Sequence, residues 1–175
     1  MNKIIISFLK TATKNISGIE AERKVNETIL NILIDFCNKN KAFEIAESVE
    51  FKKMDVLGRY DIKNNKIYIN DRISFCNDIL YNMDNFDDDI ITVLHEHRHC
   101  AQIKRNIFIK EDKEYMKDKK WCKETYENRP LEKDANDQAI KYKDQAIEFV
   151  SQNIENELLK IEIKTTEVKS TKIIL

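Results

Sequence analysis

The sequence predicts an α+β fold that is mainly helical and contains one small antiparallel sheet. Three observations lead to this class. The 175 residues include only two glycines and one proline, so few residues interrupt long helices. Apolar residues recur at steps of three and four over most of the chain. From Ser48 to about Ile69 the apolar period is instead two, which is typical of strands.

The first predicted helix starts at the capping box Ser17-Gly18-Ile19-Glu20. Its serine and its glutamate can each satisfy a free backbone amide of the first turn. Apolar residues then indicate an amphipathic helix that continues to about Asn40. We interpret it as a scaffold helix. Its apolar residues are Val25, Ile29, Ile32, Leu33 and Phe36.

Three short strands are predicted next. A turn at Lys63-Asn64-Asn65 joins the second strand to the third, which indicates a hairpin or a meander. Gly58 falls inside the second strand, where a bulge, the close approach of another backbone or a simple bend would explain it. The strands are marked by Val49 and Phe51, by Leu57, Tyr60 and Ile62, and by Ile67, Tyr68 and Ile69.

The most informative stretch contains all three histidines of the chain, and His95, Glu96 and His99 form the pattern His-Glu-x-x-His within it. On a helix, His99 lies about 40° around from His95 and one turn further on. The two imidazoles can therefore share one metal ion. Glu96 lies about 100° from His95, where it can reach a water on the ion. This is the position of a general base, and Zn²⁺ is the ion that these ligands suit best.

The three histidines also alternate, so on a strand His95, His97 and His99 would share one face and form a different metal site. The flanking residues favour a helix. The run Asp87 to Asp89 can supply an N-cap and negative charge for a first turn. On that helix His97 faces away from the other two histidines, which favours a packed or solvated side chain. The helical spacing is carried by Ile90, Leu94, His97 and Ala101.

The regions on either side of this stretch carry weaker signals. Asp71 to Met83 is predicted to be a helix, and the apolar pattern after the histidines fades at about Ile109. Between Lys104 and Lys123, eight Lys or Arg face four Asp or Glu, a local net charge of +4. Such a run is typical of a solvated face. The alternative is that it steers an acidic substrate or partner.

A second informative stretch starts at the only proline. Pro130 predicts the first turn of a helix, because its fixed φ suits that position and its missing amide is not needed there. Glu132 would then lie in the first turn and Asn136 one turn later on the same side. This pair could supply a third metal ligand and a hydrogen bond to a ligand histidine. Ala135 and Ala139 are small enough to let another helix approach closely.

The pattern His95-Glu96-x-x-His99, followed 33 residues after its second histidine by Glu132-x-x-Ala135-Asn136, resembles the gluzincin arrangement. It is most similar to the small ImmA/IrrE-type zinc peptidases of bacteria and their mobile elements. The resemblance covers about Ser48 to Phe149. It implies a zincin-like packing of the small sheet beside the metal helix, with Glu132 as the third ligand. Arg98 departs from the family pattern, in which this position is mostly uncharged.

We therefore expect a Zn²⁺-dependent peptide hydrolase that acts on a protein or peptide in the cytoplasm. Glu96 would take a proton from a zinc-bound water as that water attacks the scissile carbonyl. The candidate donors to the oxyanion are Tyr126, Arg129 and His97. The substrate would lie extended along the strand Lys66 to Asn70 if that strand is a sheet edge.

Two alternatives remain open. One is a metal-stabilised binding module or pseudo-enzyme that acts on a partner protein by contact. The other is a deformylase-like hydrolase, in which Cys76 would be a metal ligand. Cys100 is a weaker candidate ligand, because its direction on a helix is about 100° from that of His99.

The composition bounds the remaining possibilities. A net charge of −1 gives no global signal for nucleic acid or membrane. The apolar run Lys3 to Leu9 is too short for a membrane span and lacks a cleavage site, so we expect no signal peptide. The four cysteines are widely spaced, and we expect reduced thiols. We predict a single domain over residues 1–160, with a helical part at 1–45, a catalytic core at 48–160, and a tail at 161–175.

Overall fold

The computed structural model of the protein describes residues 18–81, 85–117 and 119–171. These residues form a mixed α+β fold with six helices and one three-stranded sheet, which confirms the predicted class. Ser17, which the capping box requires, lies outside the described residues. The helices are α1 (Gly18–Lys39), α2 (Phe75–Tyr81), α3 (Phe86–Arg105), α4 (Ile109–Met116), α5 (Lys123–Glu127) and α6 (Pro130–Thr171), and the strands are β1 (Ser48–Lys52), β2 (Gly58–Asp61) and β3 (Lys66–Asn70).

The sheet is mixed, so the prediction of a purely antiparallel sheet is wrong. Its strand order is β1-β3-β2. β2 and β3 form the predicted antiparallel hairpin, with Gly58 opposite Ile69, whereas β1 runs parallel to β3, with Ser48 opposite Lys66. After β1 the chain crosses to the other edge of the sheet, where it forms β2, and then returns to form β3 between β1 and β2. Alternating apolar residues are compatible with either direction of pairing, so this order was not readable from them.

β3 is therefore the central strand, and the condition under which a substrate would lie along Lys66 to Asn70 is not met. The free edge nearest to α3 belongs to β2, which contacts that helix. The buried Asn70 amide holds the preceding loop by donating to the carbonyls of Met54 and Val56. Its oxygen accepts from the Arg72 N–H. This turn delays the start of α2 from the predicted Asp71 to Phe75.

α3 carries all three histidines as a helix of 20 residues, which excludes the strand alternative. Asn85 precedes it without a side-chain capping bond, and the three aspartates from Asp87 to Asp89 lie inside the first turn. The prediction that they supply the N-cap is wrong, but their charges do lie at the positive end of the helix dipole. The helix ends at Asn106, which adopts a left-handed φ of 56° and donates back to the last turn.

α6 begins at Pro130, as predicted, and continues to Thr171. It therefore includes residues 161–171 of the predicted tail, since neither glycine nor proline follows Pro130 to interrupt the helix. Residues 172–175 of the predicted tail lie outside the described residues. The most extensive contact between two elements joins α3 to α6. Ala135 and Ala139 are fully buried, in keeping with the predicted close approach of another helix.

One hydrophobic core joins residues of α1, the sheet, α2, α3 and α6, from Val25 to Ile154. Two cations of the basic run contact the segment after α1: Lys104 donates to the carbonyl of Ile45 and Arg105 pairs with Glu44. Part of that run therefore holds the loop after α1. In the described part of the chain, no helix is both long and apolar enough to cross a membrane. The core includes Ile29 and Leu33 of α1, Ile67 and Ile69 of β3, Ile90 and Leu94 of α3, and Ala139 and Val150 of α6.

Candidate metal centre

The packing of α3 against α6 brings together two imidazoles and one carboxylate. The Nε2 atoms of His95 and His99 lie 3.3 and 3.4 Å from Oε2 of Glu132. Donor atoms of the three residues all lie within 4.8 Å of one another, close enough for one ion, and no other such group of three His, Cys, Asp or Glu side chains occurs in the described chain. The three predicted ligands thus lie together, although Glu132 is 33 residues beyond His99.

The other ring nitrogens of the two histidines point at oxygen acceptors. His95 Nδ1 lies 2.9 Å from Oδ1 of Asn136, the contact expected from the sequence. His99 Nδ1 lies 2.8 Å from Oε1 of Gln102. A proton on each Nδ1 leaves the Nε2 lone pair directed at the space beside Glu132, which fits a metal ion with nitrogen and oxygen ligands. Sequence reasoning missed Gln102, although its position three residues after His99 was a usable signal.

The electrostatics of the group suit a cation. Burial alone would raise the pKa of Glu132, but hydrogen bonds to His95 and His99 and their charge outweigh burial and lower it. Burial alone would lower the pKa of His99, but the Glu132 carboxylate raises it. A buried carboxylate therefore keeps its negative charge at the point where the two imidazoles converge.

Glu96 lies beside this group and is 7% exposed. Burial raises the pKa of its carboxyl group, against the opposing effect of the two neighbouring imidazoles. The backbone of Tyr60 acts in the same direction as the imidazoles and lowers this pKa. A Cβ atom added to Gly58 would lie only 2.7 Å from Cγ and Oε1 of Glu96. The glycine at position 58 is therefore explained by the close approach of the Glu96 side chain. The predicted alternative, the close approach of another backbone, is wrong.

Glu96, His99 and Glu132 line a cavity of about 570 Å³ between α3, β2 and the segment before α6. Four of the seven exposed large apolar residues of the described chain line this cavity too. A larger cavity of about 730 Å³ lies between α1 and β1, but its walls contain neither histidine nor cysteine. The four apolar residues at the metal-site cavity are Val56, Ile62, Trp121 and Tyr126.

The three candidate oxyanion donors occupy different environments. Tyr126 lines the cavity; burial first, and then the charge of Glu132, raises the pKa of its hydroxyl group. Arg129 also lines the cavity, but its Nε and Nη2 atoms are 3.1 and 2.7 Å from the carboxylate of Asp112. His97 is fully buried and bonds the carbonyl of Val93, and it does not line the cavity. Burial lowers the pKa of His97 to about 4.

Three residues that raised alternatives or doubts in the sequence, namely Cys76, Cys100 and Arg98, lie outside the donor group formed by His95, His99 and Glu132. Cys76 and Cys100 are buried free thiols and are not members of it. Arg98 does not line the cavity and instead pairs with Asp134 of α6 at 2.7 Å. The unusual charge at position 98 is therefore compatible with the donor group.

Comparison with protein-family models, with curated proteins and with solved structures found no match to this chain. The similarity to gluzincins stays a prediction from the residues quoted above.

Proposed function

We propose that the protein is a peptide hydrolase that uses one bound metal ion, and that the ion is Zn²⁺. The observation that carries the proposal is the convergence of His95, His99 and Glu132 from two helices, with buried Glu96 beside them and lining the same cavity as His99 and Glu132. Two imidazoles and one carboxylate leave a fourth position open on a tetrahedral ion.

When bound, the ion would supply Lewis acidity, which polarises a carbonyl and acidifies water. Glu96 would take a proton from the attacking water as the water oxygen bonds to the carbonyl carbon. The C–N bond then breaks, and Glu96 returns the proton to the leaving nitrogen. The burial of Glu96 against Gly58 would hold its carboxylate in place for both transfers.

Tyr126 is the donor that we assign to the developing oxyanion. Tyr126 lines the cavity together with Glu132, whose charge acts on its hydroxyl group, whereas the guanidinium of Arg129 is held by Asp112 and His97 is buried elsewhere. A single such donor is worth about 100- to 1000-fold in rate.

The outer edge of β2 is the surface that we assign to the substrate backbone. The carbonyl oxygen of Leu57 accepts a hydrogen bond from the N–H of Asn70, so the backbone groups of Leu57 point towards β3. In an antiparallel pair the next residues alternate in direction, and Gly58 and Tyr60 therefore direct their backbone groups away from β3. The effect of the Tyr60 backbone on the pKa of Glu96 agrees with this direction. An extended peptide could pair with these outward groups.

The substrate that this cavity suits is a protein or peptide segment with a large apolar side chain. The exposed apolar residues on both sides of the cavity would contact such a side chain. A cytoplasmic location is part of the proposal and is supported by the four free cysteines.

Two measurements test the proposal. Purified wild type should contain about one Zn²⁺ per chain, and Glu132→Ala should lose most of it. Wild type should also cleave members of a mixed peptide library, whereas Glu96→Gln should keep its metal and cleave none. A wild type without metal after supply of Zn²⁺ would overturn the proposal. Partner binding and biological effect that survive intact in Glu96→Gln would favour the non-cleaving binding module instead.

A further inference from the structure

The second histidine of the donor group is connected to a cation through two intervening side chains. Gln102 bonds His99, as described above, and its Nε2 atom lies 2.8 Å from Oδ2 of Asp134. The carboxylate of Asp134 in turn accepts hydrogen bonds from Nε and Nη2 of Arg98, at 2.7 and 3.2 Å. We call Arg98, Asp134 and Gln102 the positioning chain. It crosses the contact between α3 and α6, away from the metal-facing nitrogens.

The hydrogen bonds of the positioning chain allow only one arrangement of donors and acceptors. The Gln102 amide nitrogen faces two acceptors, the Asp134 carboxylate and the carbonyl of Leu131, each at 2.8 Å. A carboxylate and a carbonyl cannot donate, so the amide cannot rotate by 180° without placing its oxygen against both. Oε1 of Gln102 must therefore face His99, and His99 Nδ1 must be the donor.

Arg98 is the cation that neutralises the largely buried carboxylate of Asp134. Its side chain is 10% exposed and that of Asp134 is 12% exposed, so an unpaired Asp134 would be costly there. The guanidinium holds both carboxylate oxygens, and its Nη1 also donates to the carbonyl of Ala42. This forked contact orients Asp134, and lysine could not reproduce it with one point charge.

The two ligand histidines differ in how they are supported. Asn136, the partner of His95 Nδ1, is exposed, so water can replace it. Gln102 is fully buried, so nothing can replace it as an acceptor for His99. The site is therefore held asymmetrically.

We propose that Arg98, Asp134 and Gln102 are positioning residues that fix the proton of His99 on Nδ1 and keep its Nε2 available to the metal. This inference rests on the proposed function, since it concerns the same ion. It assigns a role to the charged residue at position 98 that departs from the gluzincin pattern.

The test measures Zn²⁺ affinity of the full-length chain by competition with a chelator. Gln102→Met keeps the volume of the side chain but removes its acceptor, and we expect Zn²⁺ binding to weaken about 10- to 100-fold. The matched variant Asn136→Ala should weaken binding less. Arg98→Lys, which changes no residue of the cavity wall, should weaken binding by an intermediate amount.

A background variant separates positioning from general damage to the fold. In His99→Ala, the remaining weak Zn²⁺ affinity should be the same with and without Gln102→Met, because the chain acts through His99. A further loss in that background would overturn the proposal, as would wild-type affinity in Gln102→Met. A wild type that binds no Zn²⁺ would overturn the proposed function together with this inference, so the two failures are distinguishable.

Discussion

The glycine beside Glu96 offers the sharpest single perturbation of the proposed chemistry. Gly58→Ala adds one methyl group on β2. The described glycine φ values are all negative, so alanine fits the backbone there, and the effect of the change is one of space. The new Cβ would lie 2.7 Å from both Cγ and Oε1 of Glu96 and 3.0 Å from Cδ.

The size of the effect follows from these distances. Carbon atoms pack at about 3.5 Å or more, so the Glu96 side chain must retreat by about 0.8 Å. A catalytic group misplaced by about 1 Å costs about 100-fold in rate, which is about 2.7 kcal/mol in activation free energy. Because Glu96 is not one of the three ligands, Gly58→Ala should keep its Zn²⁺.

The assay is the cleavage rate of a peptide that wild type cuts and Glu96→Gln does not. Gly58→Ala should give about 1% of the wild-type rate. The control is Gly18→Ala, which makes the same chemical change at the only other glycine, at the start of α1. A Gly58→Ala chain that cleaves at the wild-type rate would refute the placement of Glu96 as the base.

Two further predictions concern other parts of the molecule. Tyr126→Phe should lower the cleavage rate about 100-fold or more without loss of metal, because it removes the assigned oxyanion donor. Burial, and then the hydrogen bond to the buried Asp78, raises the pKa of Asp89 to about 8. The folded chain thus retains a proton that the unfolded chain releases near pH 4, so this pair stabilises the fold fully below about pH 4 and loses that contribution as pH rises through about 8. Asp78→Asn should flatten this fall, measured as urea midpoints between pH 4 and 9.

Each of these has its own control and contrary result. Retention of full activity in Tyr126→Phe would move the oxyanion role to another group. For the aspartate pair, the exposed Asp137→Asn should leave the pH dependence unchanged. Equal slopes of stability against pH in wild type and Asp78→Asn would show that Asp78 and Asp89 share no proton.

Much of the helical architecture was readable from the sequence, because helix geometry acts over a few residues. The 3.6-residue period places His95 and His99 on one side of α3 whatever the rest of the chain does. Pro130 marked the start of α6 because its restricted φ and missing amide act locally. The hairpin between β2 and β3 was also predictable, because its turn is a local structure. The carboxylate of Asp61 stabilises this turn by accepting hydrogen bonds from the backbone N–H groups of Lys63 and Asn64.

Other features depended on contacts between distant parts of the chain. The same alternation of apolar residues suits a parallel or an antiparallel neighbour, so only packing decided that β1 pairs with β3 and leaves β2 at the edge. The distance between Gly58 and Glu96 depends on how the sheet rests against α3.

By itself, the sequence determined where α1, α3 and the β2–β3 hairpin form, where α6 begins, and which residues could meet within one helix, since these properties depend on local geometry. Only the tertiary structure decided that Glu132 reaches the two histidines and that Gln102 is held by Asp134 and Arg98. Those contacts join α3 to α6, and side-chain packing between separate elements, with its hydrogen-bond directions, has no counterpart in the local spacing of residues.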